Sequence, residues 1–554
     1  MFPRFCKLCY QVVDESIIKL RRFSSVQHSN ATSEEFGDEE YEFKEDLQPV
    51  DVPIEKPKRK LIIKCKNPAL NFYEGQTYPK FQPIPLASRG WHHRKSDGDY
   101  FTIYPTDTFD FNGIDTSASF RDVNLNEVLL QNLVDNNIIH PTTIQKLGIP
   151  KILEGRNVIL TAETGCGKTF AFLVPLLQQI IELKPKRDRG FNRPLGLVLT
   201  PSRELTFQIS KAAKKLAKNL GINIVTLVGG KTKKIMLNPP VGDIDLVIAT
   251  LGVMSKLVTT NIYKMDEVRH VVLDEADTLF DDTFNDKLHY FLKKIPLGDE
   301  QQIVGDYPTT AQLTLNSATM PQDLPATLNT IIDTASLLPI GTGKEHKITV
   351  RQKFFRVIGP NKPMMLLKVI KPKIKSKTPI IIFANTSATC NFASIFLKQF
   401  NISALILHGN MPAMLRRNKF SEFQNGIHNI MIATDAGARG LDTTTAKDVI
   451  NYDLPLISAE YVHRCGRIGR IGSPKDCRVI NLISRPLEIV LTSKIEFAAR
   501  KGNSIPMVDL LHNKDIEEGE FLRPNELQNY NDMEASQAET LKEMAEDFPH
   551  RLPH

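Results

Sequence analysis

The sequence predicts an α/β fold of two tandem domains, each a parallel β-sheet flanked by helices, with amino- and carboxy-terminal extensions. Three observations carry this. Short apolar runs alternate with amphipathic stretches in two successive series. One apolar run empties into a glycine-containing loop ending Lys168-Thr169. Another, Val271–Leu273, ends in the carboxylates Asp274 and Glu275, where an open α/β sheet binds ligands.

In chain order, the first thirty residues have the character of a mitochondrial presequence. Arg4, Lys7, Lys19, Arg21 and Arg22 outnumber Asp14 and Glu15, and Ile17, Ile18 and Leu20 give an apolar face. Arg21-Arg22-Phe23-Ser24-Ser25 resembles a matrix-peptidase site, which sets residues 1–23 apart. The basic cluster Lys56-Pro57-Lys58-Arg59-Lys60 offers a nuclear or nucleolar alternative. Residues 24–115 are rich in Pro, Gly and charge and read as an extended, disordered extension. Trp91-His92-His93-Arg94-Lys95 reads as a surface loop with the means to touch RNA.

The first series of strands comprises 157–162, 195–200, 222–228, 245–250, 270–273 and 312–316. The second comprises 351–357, 379–384, 403–408, 429–434, 448–452 and 478–483. Helical stretches such as 202–220 and 387–400 separate many of them, which implies parallel sheets. The domains then span 116–342 and 343–505, joined near Pro339–His346. Gly341-Thr342-Gly343-Lys344 mimics a phosphate loop, but no convincing strand leads into it and no helix clearly follows. Residues 506–554 form an acidic tail with a short helical pattern at Met533–Phe548.

At 554 residues the chain exceeds what one core accommodates. It is 41% hydrophobic and 24% charged, with no apolar stretch long enough to span a bilayer. Net charge is +7, with acidic stretches at Glu34–Asp46 and Asp515–Asp547. The middle is therefore more basic than the total, which suits a polyanionic partner. Seven scattered cysteines include a Cys6/Cys9 pair without a second pair at zinc spacing, so free thiols are expected.

Ala162-Glu163-Thr164-Gly165-Cys166-Gly167-Lys168-Thr169 follows a strand and opens a helix. Glycines let backbone N–H groups wrap phosphate oxygens, and the helix N-terminus adds a favourable dipole. Lys168 would reach the β- and γ-phosphates and Thr169 would ligate Mg²⁺. Cys166, at this helix start, would have a lowered thiol pKa. Asp274 and Glu275 would divide metal holding and water activation between them.

With Asp274-Glu275-Ala276-Asp277, Ser317-Ala318-Thr319 and His463-Arg464-Cys465-Gly466-Arg467-Ile468-Gly469-Arg470 in order, the sequence resembles the DEAD-box RNA helicases from about Phe120 to about Ile483. The resemblance implies two RecA-like domains, ATP and Mg²⁺ as cofactors, and RNA held through its backbone without sequence preference. It implies an RNA-dependent ATPase that unwinds duplexes or remodels ribonucleoprotein; the presequence makes mitochondrial ribosome assembly a candidate process. Phe120, Ile138 and Gln145 fall at the family's adenine-reading positions, where Ile138 replaces the usual aromatic. The phosphate loop's general pattern begins with glycine where Ala162 stands here.

By the same resemblance Pro201, Arg203, Glu204, Gly229, Gly230 and Thr250 grip RNA from the first domain. Leu251 and Val253 depart from the family's Pro and Arg there. Arg416, Thr434 and Gly440 grip it from the second, where Ala413 replaces the usual Gln. Asp442 faces the ribose of ATP, Arg467 and Arg470 are fingers on the γ-phosphate, and His463 bridges the domains. Asp277, Ser317 and Thr319 couple the cleft to RNA binding. The alternatives are an ATP-gated RNA clamp or assembly platform with little unwinding, and a DNA-directed motor.

Overall fold

The computed structural model describes residues 60–105, 114, 116–186, 188, 190–229, 238–281, 284–319, 328–342, 348–438, 443, 445–470, 473–474, 476–506 and 510. The expected presequence, most of the acidic tail and its helix lie outside these residues.

The described residues open with three short strands, β1 (Leu61–Cys65), β2 (Phe72–Tyr73) and β3 (Tyr100–Ile103). The first large sheet follows. Its strands are β4 (Val158–Thr161), β5 (Gly196–Thr200), β6 (Ile224–Leu227), β7 (Leu246–Thr250) and β8 (His270–Asp274). A small hairpin of β9 (Ile303–Val304) and β10 (Tyr307–Pro308) precedes β11 (Gln312–Ser317) and β12 (Leu338–Gly341). The strand order is β12-β4-β11-β8-β5-β7-β6, and every pairing is parallel.

Alternate residues enter two cores. Leu160, Val198 and Ile248 pack on one face, and Leu197, Val247 and Leu273 on the other. Burial on both faces is why these strands read as unbroken apolar runs. The order also decides function: β4, β11 and β8 are neighbours, so the segments leaving their carboxyl ends lie side by side.

The second sheet contains β13 (Arg351–Arg356), β14 (Ile380–Phe383), β15 (Leu405–Leu407), β16 (Ile430–Ala433), β17 (Asp448–Asn451) and β18 (Arg478–Ile483). These run parallel in the order β15-β16-β14-β17-β18-β13. Ile380 and Ile382 face one core, Ile381 and Phe383 the other.

Two expectations are corrected here. The segment from residue 60 to 104 is not an extended tail but part of the second sheet: β3 pairs antiparallel with β13, β1 with β3, and β2 with β1. Trp91 is no surface loop; it is fully buried, 5.4 Å from the Phe101 ring, which stacks at 4.7 Å on Phe354. Glu496, on the helix Pro486–Lys501, accepts from Ala87 N–H, Ser88 N–H and Ser88 Oγ at 2.7–2.9 Å. Arg500 neutralises it at 2.7 Å and donates to Leu70 O and Tyr78 Oη. A buried carboxylate persists only with such partners, and together they pin the segment down.

The other correction concerns Gly341. A strand does lead into it, since β12 pairs with β4, and Thr342 Oγ1 donates to Glu163 at 2.9 Å. Gly343 and Lys344 lie outside the described residues.

Candidate active site

Beyond β4 the backbone turns through Gly165 and Gly167, at φ +83° and +93°, into the sixteen-residue helix Lys168–Leu183. Left-handed φ alone favours glycine, and at Gly167 space does too. A Cβ there would lie 2.5 Å from Gln145 Nε2. The helix N-terminus opens directly from the turn, an arrangement suited to phosphate. Lys168 Nζ donates to Ala162 O and Glu163 O at 2.6 and 2.9 Å, which holds the ammonium across the loop mouth. Thr169 follows it in the first helical turn.

Cys166 departs from expectation. Burial pushes its thiol pKa up, with only partial relief from Lys168, so it is not an activated thiolate.

Gln145 is buried, with its amide oxygen accepting from Thr142 N–H and its nitrogen donating to Gly167 O, both at 3.0 Å. It braces the phosphate loop, and a contact with adenine would have to exchange these bonds. Phe120 is buried in the core beside it, and Ile138 is half-buried against the same cluster.

The acidic segment shows how three residues can divide labour. Burial, reinforced by Glu275, pushes the Asp274 carboxyl up to about 7, although Asn316 Nδ2 donates to it and Lys168 is near. Glu275 sits at φ +52°, a left-handed conformation costly for a residue with a Cβ. Its Oε2 is buried with no hydrogen-bond partner among the described residues. A strained, unsatisfied carboxylate beside a phosphate cradle is suited to orient a water.

Asp277 has the opposite surroundings. Burial opposes its ionisation, but His463 and the Thr319 and Ser317 hydroxyls outweigh this and hold it well below the usual carboxylate range. Thr319 Oγ1 donates to Asp277 Oδ2, and His463 Nε2, from the second domain, lies 3.0 Å from the same oxygen. Ser317 Oγ in turn donates to Thr319 O.

The second domain meets the phosphate loop as well. Thr164 Oγ1 donates to Gly466 O at 2.7 Å. Arg470 packs so closely over Gly165 that a Cβ there would come 2.4 Å from its Cγ, and its Nε donates to Gly466 O. Arg467 is buried, and its carbonyl accepts from Thr443 Oγ1 at 2.6 Å. The fold therefore gathers Lys168, Thr169, Asp274, Glu275, His463, Arg467 and Arg470 around one cleft.

Comparison with known proteins agrees. Residues 142–327 match the DEAD/DEAH box helicase family and residues 361–472 the helicase conserved C-terminal domain. A mouse protein named probable ATP-dependent RNA helicase DDX28 is 35% identical over 462 residues, covering 80% of this chain and 85% of its own. The chain belongs to the DEAD-box RNA helicases. The human protein of the same name is 34% identical with the same coverage. Among solved structures, S. cerevisiae Dbp5 bound to RNA and ADP BeF3 superposes with a TM-score of 0.58 at 25% identity, covering 69% of this chain and 94% of that one. Mss116p bound to ssRNA and AMP-PNP gives 0.59 at 27%, covering 71% and 80%. The fold is therefore that of a tandem RecA-like helicase core, and the chain is an RNA-dependent ATPase and helicase.

As a DEAD-box helicase, the chain has its expected RNA-side residues distributed as follows. Arg203 begins a helix after Pro201-Ser202, and its guanidinium lies over Gly229, where a Cβ would come 3.3 Å from it. Glu204, on that helix, pairs at 3.1 Å with Arg416 of the second domain, so these two face each other. Thr250 occupies the N-cap position of the helix Leu251–Thr259 without a side-chain capping bond, and Leu251 and Val253 are core residues. Whatever charge an arginine would bring at 253 is absent, and the chain has used the position for packing. Thr434 is buried at the end of β16, its Oγ1 accepting from Gly437 N–H. Gly230, Gly440 and Asp442 lie outside the described residues.

Sequence reasoning passed over Arg464. It is 1% exposed, lies over the Phe383 ring, and grips both oxygens of Asp435 at 2.6 and 2.7 Å and Asn385 Oδ1 at 2.7 Å. With a further bond to Asp453 O at 2.6 Å, it holds the helix Ser458–Cys465, which presents His463, to the ends of β14, β16 and β17. An arginine within a functional string invites reading as a ligand contact; only burial distinguishes a scaffold. Asn316, which orients Asp274, was likewise read as strand.

Proposed function

We propose that ATP and single-stranded RNA together hold the two domains of this helicase in the arrangement described, and that turnover occurs only there. The single observation carrying this is the seating of Gly466–Arg470 against Thr164 and Gly165. Lys168 and the loop N–H groups bind the phosphates, and Arg467 and Arg470 reach the γ-phosphate from the opposite wall. In related phosphoryl-transfer enzymes such arginines are worth about 10³–10⁵ in rate. Glu275 orients the attacking water with its unpartnered oxygen.

Thr169 and Asp274 are suited to hold Mg²⁺, since a buried carboxyl resting near neutrality lacks a cation. The ion would neutralise charge on the phosphate oxygens. Thr319, Asp277 and His463 form the relay by which the RNA-side segments sense closure. RNA is gripped by Arg203, Arg416, Thr434 and their neighbouring backbone, without reading bases.

The place of action we propose is the mitochondrion, with ribonucleoprotein of the ribosome as target, on the basic and apolar pattern of residues 1–23. Fusing residues 1–60, which carry both the presequence pattern and the Lys56–Lys60 cluster, to a reporter tests this, and nuclear accumulation would refute it.

For the mechanism, ATP hydrolysis by the chain from Ser24 onward is measured with and without single-stranded RNA. Strong stimulation by RNA and little by DNA is expected, and Lys168→Ala should abolish it. Full activity in that variant would sink the site assignment. Tight RNA binding without turnover would support the clamp instead.

A further inference from the structure

The sheet extension has two faces. One packs on the helix Pro486–Lys501, and the other is unlike any part of the cleft. The registers Lys64↔Thr102 and Lys353↔Thr102 put Lys64 and Lys353 in one row across β1, β3 and β13. Residues two apart on a strand share a face, so Arg351 and Phe355 join Lys353, and Tyr100 pairs with Phe355.

Here the cations are held by rings. Lys353 Nζ lies 4.6 Å from the Tyr100 ring centre and 4.5 Å from that of Phe355, and Arg351 lies 5.0 Å over Tyr104. Such contacts fix a cation in place without neutralising it. Arg478 flanks Arg351 on β18, and Lys368 approaches from the helix Lys362–Lys375.

Arg478 is paired with Asp448 at 2.9 Å, but among the described residues no carboxylate is paired with Lys64, Arg351, Lys353 or Lys368. Burial pushes the Lys353 ammonium down, and Arg351, Lys64, Arg478 and Lys368 push it further. Like charges collected this closely raise the energy of the isolated protein, and a polyanion would relieve it.

We propose that this face, built by the amino-terminal strands on the second domain, is an auxiliary binding surface for the phosphate backbone of single-stranded RNA outside the cleft. This rests on RNA being the substrate. The face makes the affinity depend on RNA length, whereas the cleft fixes the minimal stimulating length.

The test uses the full chain carrying Lys64→Glu with Arg351→Glu, both exposed and outside the cleft. With the shortest oligonucleotide that still stimulates turnover, kcat and KM for RNA should match the unaltered protein, which also reports a sound fold. With a longer single strand, affinity should fall about tenfold or more. The salt dependence should flatten by about 0.7 in log-log slope for each phosphate no longer neutralised, or about 1.4 for two. Lys64→Arg with Arg351→Lys should behave as the unaltered protein.

Unchanged long-strand affinity in the charge-reversed protein overturns the proposal. So does a gain, which would mark the face as a seat for the chain's own acidic stretch Glu34–Asp46. An ATPase that ignores RNA altogether would instead refute the reading of the cleft.

Discussion

Asp274 and Asp277 lie three residues apart at one sheet edge, yet they are prepared for opposite states. Asp274 is satisfied from within its own domain, by Asn316, and crowded by Glu275. Its carboxyl is pushed up to about 7. Asp277 is held ionised, with His463 of the other domain providing the largest opposition to burial. On the function proposed, one carboxylate serves ligand chemistry and the other domain closure. A single turn of chain can therefore report on two events because its residues face different walls.

The largest test of this division is Glu275→Gln. Turnover should fall by about 10²–10⁴, the range for losing a positioned general base. ATP-dependent retention of RNA should survive, because the closure contacts are elsewhere. If retention is lost as well, the two halves are not separable.

Asp277→Asn and His463→Ala test the other half and should act alike. Each removes a charge-assisted hydrogen bond across the cleft, worth about 1.5–3 kcal/mol, so RNA held with a nonhydrolysable ATP analogue should weaken about 10- to 100-fold. RNA-stimulated turnover should fall with it, because turnover requires the closed arrangement. A double variant no worse than either single one would confirm that they act as a pair.

Much of the division was legible in the sequence because its motifs each follow an apolar run and their order resembles that of the DEAD-box family, whereas the strand order itself was not read. Each of the twelve strands read from apolar runs overlaps an observed strand, and the structure sets β4, β11 and β8 side by side. What escaped notice depended on distant partners. β12 was missed because Pro339 and Gly341 break its pattern and only Ile340 of its four residues is buried. The strands Leu61–Cys65 and Tyr100–Ile103 are apolar but short, and they lie in a stretch read as rich in Pro, Gly and charge. Their stability comes from β13 and from Glu496, some 400 residues away for Ser88. The Cys166 reading considered the helix dipole and omitted burial, which is the larger effect here. Gln145 could be recognised by its spacing from Phe120, but not its bond to Gly167, which follows only from the fold.

The smallest effect expected is on pH dependence, and its sign separates the two carboxylates. Burial opposes charge on His463, but Asp277 outweighs it and raises the imidazole above its ordinary 6.5. A raised histidine contributes to closure in full below that ordinary value, and the contribution is lost as pH rises through the raised one. Asp277 is depressed, so its share is present above the usual carboxylate range and lost only in strong acid. RNA retention should therefore weaken above neutrality by at most about tenfold per pH unit, since one proton is involved. Asp274 works the other way: its carboxyl, at about 7, ionises as pH rises, which favours a bound cation. Measured across pH with the nonhydrolysable analogue, retention should fall on the alkaline side while turnover at limiting Mg²⁺ rises through neutrality. In His463→Gln the alkaline loss should disappear and the rise should remain. If the loss persists in that variant, closure is not being reported through Asp277.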